Sequence, residues 1–289
     1  MGRLHNKYML AFILGSLIVI LIFTVIPLFY SVFLSLHSGR ANNLVFAGLE
    51  NYRRMIDDPM LINALRNTVG FSLVLTPVVL TISFLLANCI NNVRSERLKG
   101  IYSVILFFPS ITSPIAYAFF FRQFFLIDGF LNNFISIFNP SATFTNYLLT
   151  PLGARIAIVV VCIWAWSGYY TMLMLSAMQS IDPIVRRAAK VDGLSRSRIL
   201  YKIVLPIILP VVLLCSILLF GGIFQLFAEV MVITRGGPAG STMTLSLYMY
   251  QLSFQFVPQF GYAASIAVLI FLISSIVGFV QFKLGDRYE

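Results

Sequence analysis

The sequence predicts an all-α polytopic membrane protein of six transmembrane helices, and three observations predict it. Hydrophobic residues make up 59% of the 289 and charged residues only 10%, where an average soluble domain carries roughly 25% charged residues. Mean hydropathy is +0.92. Asp, Glu, Lys and Arg are absent from residues 8–39, 67–93, 100–121, 156–181, 203–228 and 236–282, runs long enough for the roughly 20 apolar residues a crossing helix needs. Together these features exclude a soluble globular domain, a disordered chain and a nucleic-acid module.

The first helix is expected at about 9–34. It is too long for the apolar core of a cleaved signal and lacks an A-x-A site, so it should remain as a span. The second is expected at 67–91, the third at 101–124, the fourth at 156–180 and the fifth at 203–233. The last charge-free run is too long for one helix. Its first part, 236–261, is rich in Gly, Ser, Thr and Gln and reads as a loop, leaving the sixth helix at 262–282.

Pro27, Pro77, Pro109, Pro114, Pro206 and Pro210 interrupt these spans. Each removes a backbone donor and frees a carbonyl, which in lipid must find a neighbouring helix or a wet cavity. The densest break, Phe108 to Pro114, reads as a broken helix lining a pathway. Its alternative is a packing kink satisfied by the Ser and Thr hydroxyls.

The net charge of +10 need only mean basic cytoplasmic loops. With the N-terminus inside, inner segments hold 13 Lys and Arg (Arg3, Lys7, Arg94, Arg97, Lys99, Arg186, Arg187, Lys190, Arg196, Arg198, Lys202, Lys283, Arg287). Outer segments hold seven (Arg40, Arg53, Arg54, Arg66, Arg122, Arg155, Arg235). Both termini are therefore expected in the cytoplasm. Cys89, Cys162 and Cys215 lie in apolar runs and read as buried structural thiols.

Catalytic chemistry is missing from the pattern. The histidines, His5 and His37, lie outside the spans, and neither HExxH nor GxxxxGK[ST] occurs. A transporter reading then needs an ion gradient or a partner that supplies energy.

The segment between spans four and five carries the most local information. Asp182 suits an N-cap and Pro183 a first helical position. Ile184, Ala188 and Val191 recur at i, i+4, i+7, and Gly193 is a C-terminal stop. A helix over 183–192, roughly 15 Å long, is too short to cross. It reads as an interfacial amphipathic helix or as a docking helix for a cytoplasmic protein. Ser195 should cap a further helix that runs into span five.

At this segment the chain resembles a known family, the permease subunits of binding-protein-dependent ABC importers of the type-1, maltose-permease-like carbohydrate group. That family's loop reads EAA, three residues, then G, before a hydrophobic I-x-LP. The matching residues are Arg187-Ala188-Ala189, Asp192-Gly193 and Ile203-Val204-Leu205-Pro206. Further resemblances follow in order: Gly48-Leu49-Glu50-Asn51-Tyr52 with Asn67-Thr68, Phe108-Pro109, Ile163-Trp164 with Gly168, Thr234-Arg235-Gly236-Gly237-Pro238, and Phe260-Gly261-Tyr262-Ala263-Ala264. One departure is that Arg187 stands where the family has glutamate.

The resemblance implies a type-1 importer permease fold. Residues 1–65 would hold the first helix and an external loop, 66–282 the five-helix transmembrane domain with its coupling loop 181–202, and 283–289 a cytoplasmic tail. It also implies a homologous second permease, two cytoplasmic ATPase subunits, an extracytoplasmic solute-binding protein and a bacterial inner membrane. ATP and Mg would sit on the ATPases, with no cofactor in this chain. The coupling residues would be Ile184, Arg187, Ala188, Ala189, Val191 and Gly193.

The residues themselves suggest a pathway. Trp166, Tyr169 and Tyr170 share a face of span four at i, i+3, i+4, and aromatic faces with polar tips suit a sugar. Gln225 and Glu229 are expected to share a face of span five at i, i+4. Glu229 is the one carboxylate inside an expected span, and such residues face a cavity or a partner. The alternatives are packing aromatics and a Glu229 paired with Arg235 or Arg122. The expected cargo is a carbohydrate, an oligosaccharide by choice. The rivals are glycerol phosphate or another small polar solute, and, from another class, a gradient-driven secondary carrier.

Overall fold

The computed structural model describes residues 13–40, 43–140 and 143–285. Residues 9–12 of the first expected span lie outside the described residues, as do Arg3, His5, Lys7 and Arg287. Six helical stretches are long and apolar enough to cross a membrane: Ile13–Ser35, Pro59–Asn91, Pro114–Phe138, Pro151–Gln179, Arg196–Ile233 and Phe260–Lys283.

Helix α1 is Ile13–Ser35, with a wide π turn at Leu21–Val25 just before Pro27. A hairpin follows, β1 His37–Arg40 and β2 Asn43–Phe46, antiparallel with His37 opposite Phe46. Then come α2 Glu50–Asp57, α3 Pro59–Asn91, α4 Glu96–Ile111, α5 Pro114–Phe125 and α6 Phe130–Phe138. The long α7 is Pro151–Gln179, and the short α8 is Pro183–Val191. A single turn, α9 Arg196–Ile199, passes through a π turn at Leu200–Val204 into α10 Leu205–Phe224. The chain ends with α11 Ala228–Ile233, α12 Leu245–Tyr250 and α13 Phe260–Gly285. Each of these two π turns precedes a proline, Pro27 and Pro206. A widened turn relieves the clash between the ring and the carbonyl four residues back.

Three expectations need correction. The third span is not one helix over 101–124, and its interruption falls inside the break expected at Phe108 to Pro114. It stops at Ile111 and restarts at Pro114, because Thr112 and Ser113 are extended, with ψ of 144° and 128°, as the residue before a proline prefers. The fifth span is not continuous over 203–233 either, since α10 ends at Phe224 and Phe227 leaves helical geometry at φ −133°. No proline marks that break. Its exposed carbonyls are instead satisfied from elsewhere: Ser246 Oγ donates to Phe224 O at 3.0 Å and Thr244 Oγ1 to Leu226 O at 2.7 Å. Finally, 236–261 is not simply a loop. Thr244 Oγ1 accepts from Leu247 N and starts α12, which widens into a π turn at Gln251–Gln255. Several of the polar side chains that made this stretch look soluble are turned inward: Thr242, Thr244 and Ser246 are buried and donate to backbone carbonyls.

The described residues form two compact units. One comprises the chain up to Pro59 with Tyr248–Leu272. Within it Asp58 Oδ2 accepts from both Tyr248 and Tyr262, at 2.7 and 2.6 Å, and the Arg54 guanidinium lies 4.0 Å from the Tyr262 ring centre. The other comprises Met60–Leu247 with the residues from Ile273. Its core is the small-residue face of α7, where Ala154, Ala157, Ile158, Val161, Cys162 and Ala165 are almost fully buried. Small side chains let helix backbones approach closely in lipid, where packing rather than water drives association. At Gly168 a Cβ would stand 1.7 Å from Leu106 O on α4. Beside it Ser110 Oγ donates to Ala165 O at 3.0 Å, fastening the end of α4 to α7.

In the same unit the 236–240 turn is anchored by side chains of α3 and α7. Asn63 and Asn67 both donate to Gly240 O, at 2.7 and 2.8 Å, and Arg155 Nε donates to Ser241 O at 2.9 Å. Cys162 and Cys215 are buried free thiols, but Cys89 is exposed, because it lines an open cavity between α3 and the Tyr102, Ile105 and Leu106 side of α4.

Candidate functional site

The second unit holds a cavity of about 480 Å³. Its walls come from α7 (Ala165, Trp166, Tyr169, Tyr170), from the break between α4 and α5 (Ser110, Pro114), and from α10 through the break into α11 (Leu219, Gly222, Gln225 to Glu229). All five residues expected on the pathway line it. Both helix breaks open onto it, so the cavity sits where two crossings lose their regular backbone. Irregular main chain at membrane depth is tolerated only inside protein or against such a cavity.

The five residues are not equivalent. Tyr169 is 42% exposed and Gln225 is exposed, so their polar groups are available to a ligand. Tyr170 is buried and meets Tyr169 edge-to-face, with ring centres 5.2 Å apart. Trp166 is half-buried and leans on the apolar cluster around Tyr117 and Val161. Tyr170 and Trp166 therefore shape the wall as much as they offer polar tips.

Glu229 is buried at 4% exposure and accepts a hydrogen bond from the Tyr117 hydroxyl. Neither Arg122 nor Arg235 pairs with it among the described residues, so that alternative is replaced by a neutral donor. Gln225 and Glu229 do not share a helical face: Gln225 caps the end of α10 and Glu229 lies in the first turn of α11. The break, rather than an i, i+4 spacing, brings both to the cavity. A carboxylate in the first turn of a helix also meets the positive end of the backbone dipole. Tyr117 was missed in the sequence. The available signal was a lone hydroxyl in the run Pro114 to Phe121, which in lipid must find an acceptor.

The segment from Asp182 to Gly193 forms a helix as its pattern predicts. Asp182 Oδ1 accepts from Ile184 N at 2.8 Å, Pro183 takes the first position, and Gly193 stands at φ +75°. Ile184 and Val191 are 66% and 87% exposed, and Ala188 and Arg187 are also exposed. Ala189 differs: it is 3% exposed, turned toward its own chain, and so belongs to the seat of the helix instead of its outer face. Ser195 Oγ accepts from Arg198 N and opens α9 as expected.

Residues 79–286 match the family model described as Binding-protein-dependent transport system inner membrane component. The chain is 36% identical over 273 residues to the lactose transport system permease protein LacF of Rhizobium radiobacter, covering 94% of this chain and 91% of that one. It is 30% identical over 292 residues to the multiple sugar-binding transport system permease protein MsmF of Streptococcus mutans, covering 99% and 98%. Its fold matches a chain of a bacterial ABC transporter involved in the import of the acidic polysaccharide alginate. The TM-score is 0.85 over 99% of this chain and 98% of that one, at 22% identity, a likeness of fold alone.

Proposed function

The chain belongs to the family of binding-protein-dependent transport system inner membrane components, and on that premise we propose that it lines half of the pathway of an ATP-driven importer for an uncharged carbohydrate. The cavity carries this reading. It joins aromatic faces to amide and carboxylate acceptors, which suits the C–H faces and hydroxyls of a sugar. Its lining includes no Lys or Arg, and its one charged residue is Glu229. A phosphate or uronate group would approach a carboxylate in a low-dielectric site, where like charges repel strongly. That speaks against glycerol phosphate as cargo. Relatives named for lactose and for multiple sugars speak in the same direction.

The rest of the assembly follows the family. A second permease completes the pathway, two ATPases hold ATP and Mg, and a solute-binding protein delivers the sugar. This chain contributes no nucleotide site and needs no cofactor of its own. Both termini face the bacterial cytoplasm on the strength of the 13-to-7 distribution of basic residues. The exposed stripe of Ile184, Ala188 and Val191, with Arg187 beside it, docks on one ATPase. Arg187 meets a carboxylate there or reaches lipid phosphate.

The test is to purify the assembled complex through a tag on this chain and reconstitute it in proteoliposomes with its binding protein. ATP-dependent uptake of a neutral disaccharide, with a uronate of equal size excluded, is the expected result. Uptake that needs an ion gradient and no ATP would overturn the reading.

A further inference from the structure

The docking helix is fastened to its own chain by Arg186, the neighbour of the arginine that replaces the family's glutamate. Arg187 points outward, whereas Arg186 is half-buried. Its Nη2 donates to Met178 O at 3.3 Å, in the last turn of α7. With the Asn91 amide in its hydrogen-bonding orientation, Asn91 Oδ1 accepts from Arg186 Nη1 and Nη2 at 2.6 and 2.8 Å. Asn91 is the last residue of α3. One guanidinium thus bridges the C-terminal ends of two long helices.

The electrostatics favour that position. The final carbonyls of a helix lack intrahelical partners and carry the negative end of its dipole. Two such ends converge on one cation with a planar fork of donors. Burial lowers the pKa of Arg186 from the ordinary arginine value, so the group depends on these acceptors for the solvation it has lost. The helix itself is short, and Ala189 is its buried residue, with Ile181 buried just before it.

We propose that Arg186 is the positioning residue that carries displacement of the docking helix to α7 and α3. The inference rests on the docking reading of α8. Met178 and Tyr170 are on one rigid helix, eight positions or roughly 12 Å apart, so a pull at Met178 reaches the cavity wall directly. The same pull on Asn91 reaches α3, whose Asn63 and Asn67 hold the 236–240 turn. Arg186 would not contact the ATPase or the sugar. It sets how far each moves with the other.

The experiment uses the whole complex in proteoliposomes with Arg186→Ala, Arg186→Lys, Asn91→Ala and Asn91→Asp. The readouts are complex assembly, basal ATP hydrolysis and sugar carried per ATP. Arg186→Ala is expected to assemble and hydrolyse ATP but to carry about tenfold less sugar per ATP, the scale of one lost charged hydrogen-bond pair. Arg186→Lys restores part of it through one acceptor. Asn91→Asp keeps coupling, Asn91→Ala loses it, and Arg186→Ala with Asn91→Ala is no worse than Arg186→Ala alone. Wild-type sugar per ATP in both alanine variants, or multiplying losses in the double variant, overturns the proposal. If Arg186→Ala fails to assemble, Arg186→Lys and the Asn91 pair decide by the same ratio. Ile184→Asp with Val191→Asp separates the two readings. Loss of ATPase binding there keeps the docking assignment whatever Arg186 does, and intact binding removes the premise.

Discussion

The Tyr117 hydroxyl donates to Glu229 Oε1, tying the helix after the first break to the helix after the second. The buried carboxylate is thereby held by a neutral group, and the two interrupted crossings close one side of the cavity together.

Tyr117→Phe removes that donor and leaves Glu229 underbonded. The loss of about 1–3 kcal/mol should weaken sugar transport roughly 5- to 150-fold in apparent affinity. Glu229→Gln keeps an acceptor for Tyr117 and removes the charge. It should retain neutral-sugar uptake and relax the rejection of a uronate, measured by competition in proteoliposomes. Unchanged uronate exclusion would show that the charge of Glu229 does not select the cargo.

Tyr169→Ala and Gln225→Ala should each lower uptake while complex assembly stays normal, because both side chains are exposed in the cavity. Tyr170→Ala should instead lower thermal stability in detergent, since Tyr170 is buried. Normal uptake in the first two variants would reduce this aromatic face to packing.

Gly168→Val should collapse the contact between α7 and α4. Even the first added carbon would stand 1.7 Å from a backbone carbonyl that cannot rotate away. The expected outcome is loss of the folded complex on size-exclusion chromatography, with Gly221→Ala, which meets nothing within 4 Å, as the tolerated control.

Gly193 is strained by its backbone and not by its neighbours: φ is +75° and no atom lies within 4 Å of a Cβ placed there. An L side chain in this region costs roughly 1–2 kcal/mol, less for Asn. Gly193→Val should reduce ATPase docking and sugar per ATP, and Gly193→Asn should stay near wild type. Equal behaviour of the two would mean that the stop at Gly193 plays no part in seating the docking helix.

The regular parts of this fold were legible because local chemistry determined them. Asp182, Pro183 and Gly193 bracket the short helix α8 by capping and backbone preference, and the structure follows them within a residue. Pro114 marks its own break. The interruption at Gln225 to Phe227 had no such mark: Gly221 and Gly222 weaken the helix, but hydroxyls from Thr244 and Ser246 make the interruption tolerable. Such an interaction spans 18 and 22 positions and leaves no periodic trace. The same contacts explain why 236–261 looked like a loop, since Thr242, Thr244 and Ser246 spend their hydroxyls on backbone carbonyls inside the protein. The aromatic and amide residues that line the cavity were legible by type and depth. Their differing exposure, and the Tyr117 partner of Glu229, emerge only once three helices are packed.

The break at Gln225 has a consequence for how the cavity and the 236–240 turn act on each other. Parting Ser246 and Thr244 from the carbonyls of Phe224 and Leu226 would strand buried acceptors, at about 1–3 kcal/mol each, so 224–227 and 244–246 travel together. The 236–240 turn is bound to the same segment through α3: Asn67 donates to both Gly240 O and Met243 O, and Thr68 Oγ1 accepts from Leu245 N. Cargo resting against Gln225 and a protein pressing on that turn therefore act on one body. Linkage then runs both ways: by whatever factor an occupied cavity changes the turn's hold on whatever binds it, that binding changes the cavity's hold on its occupant.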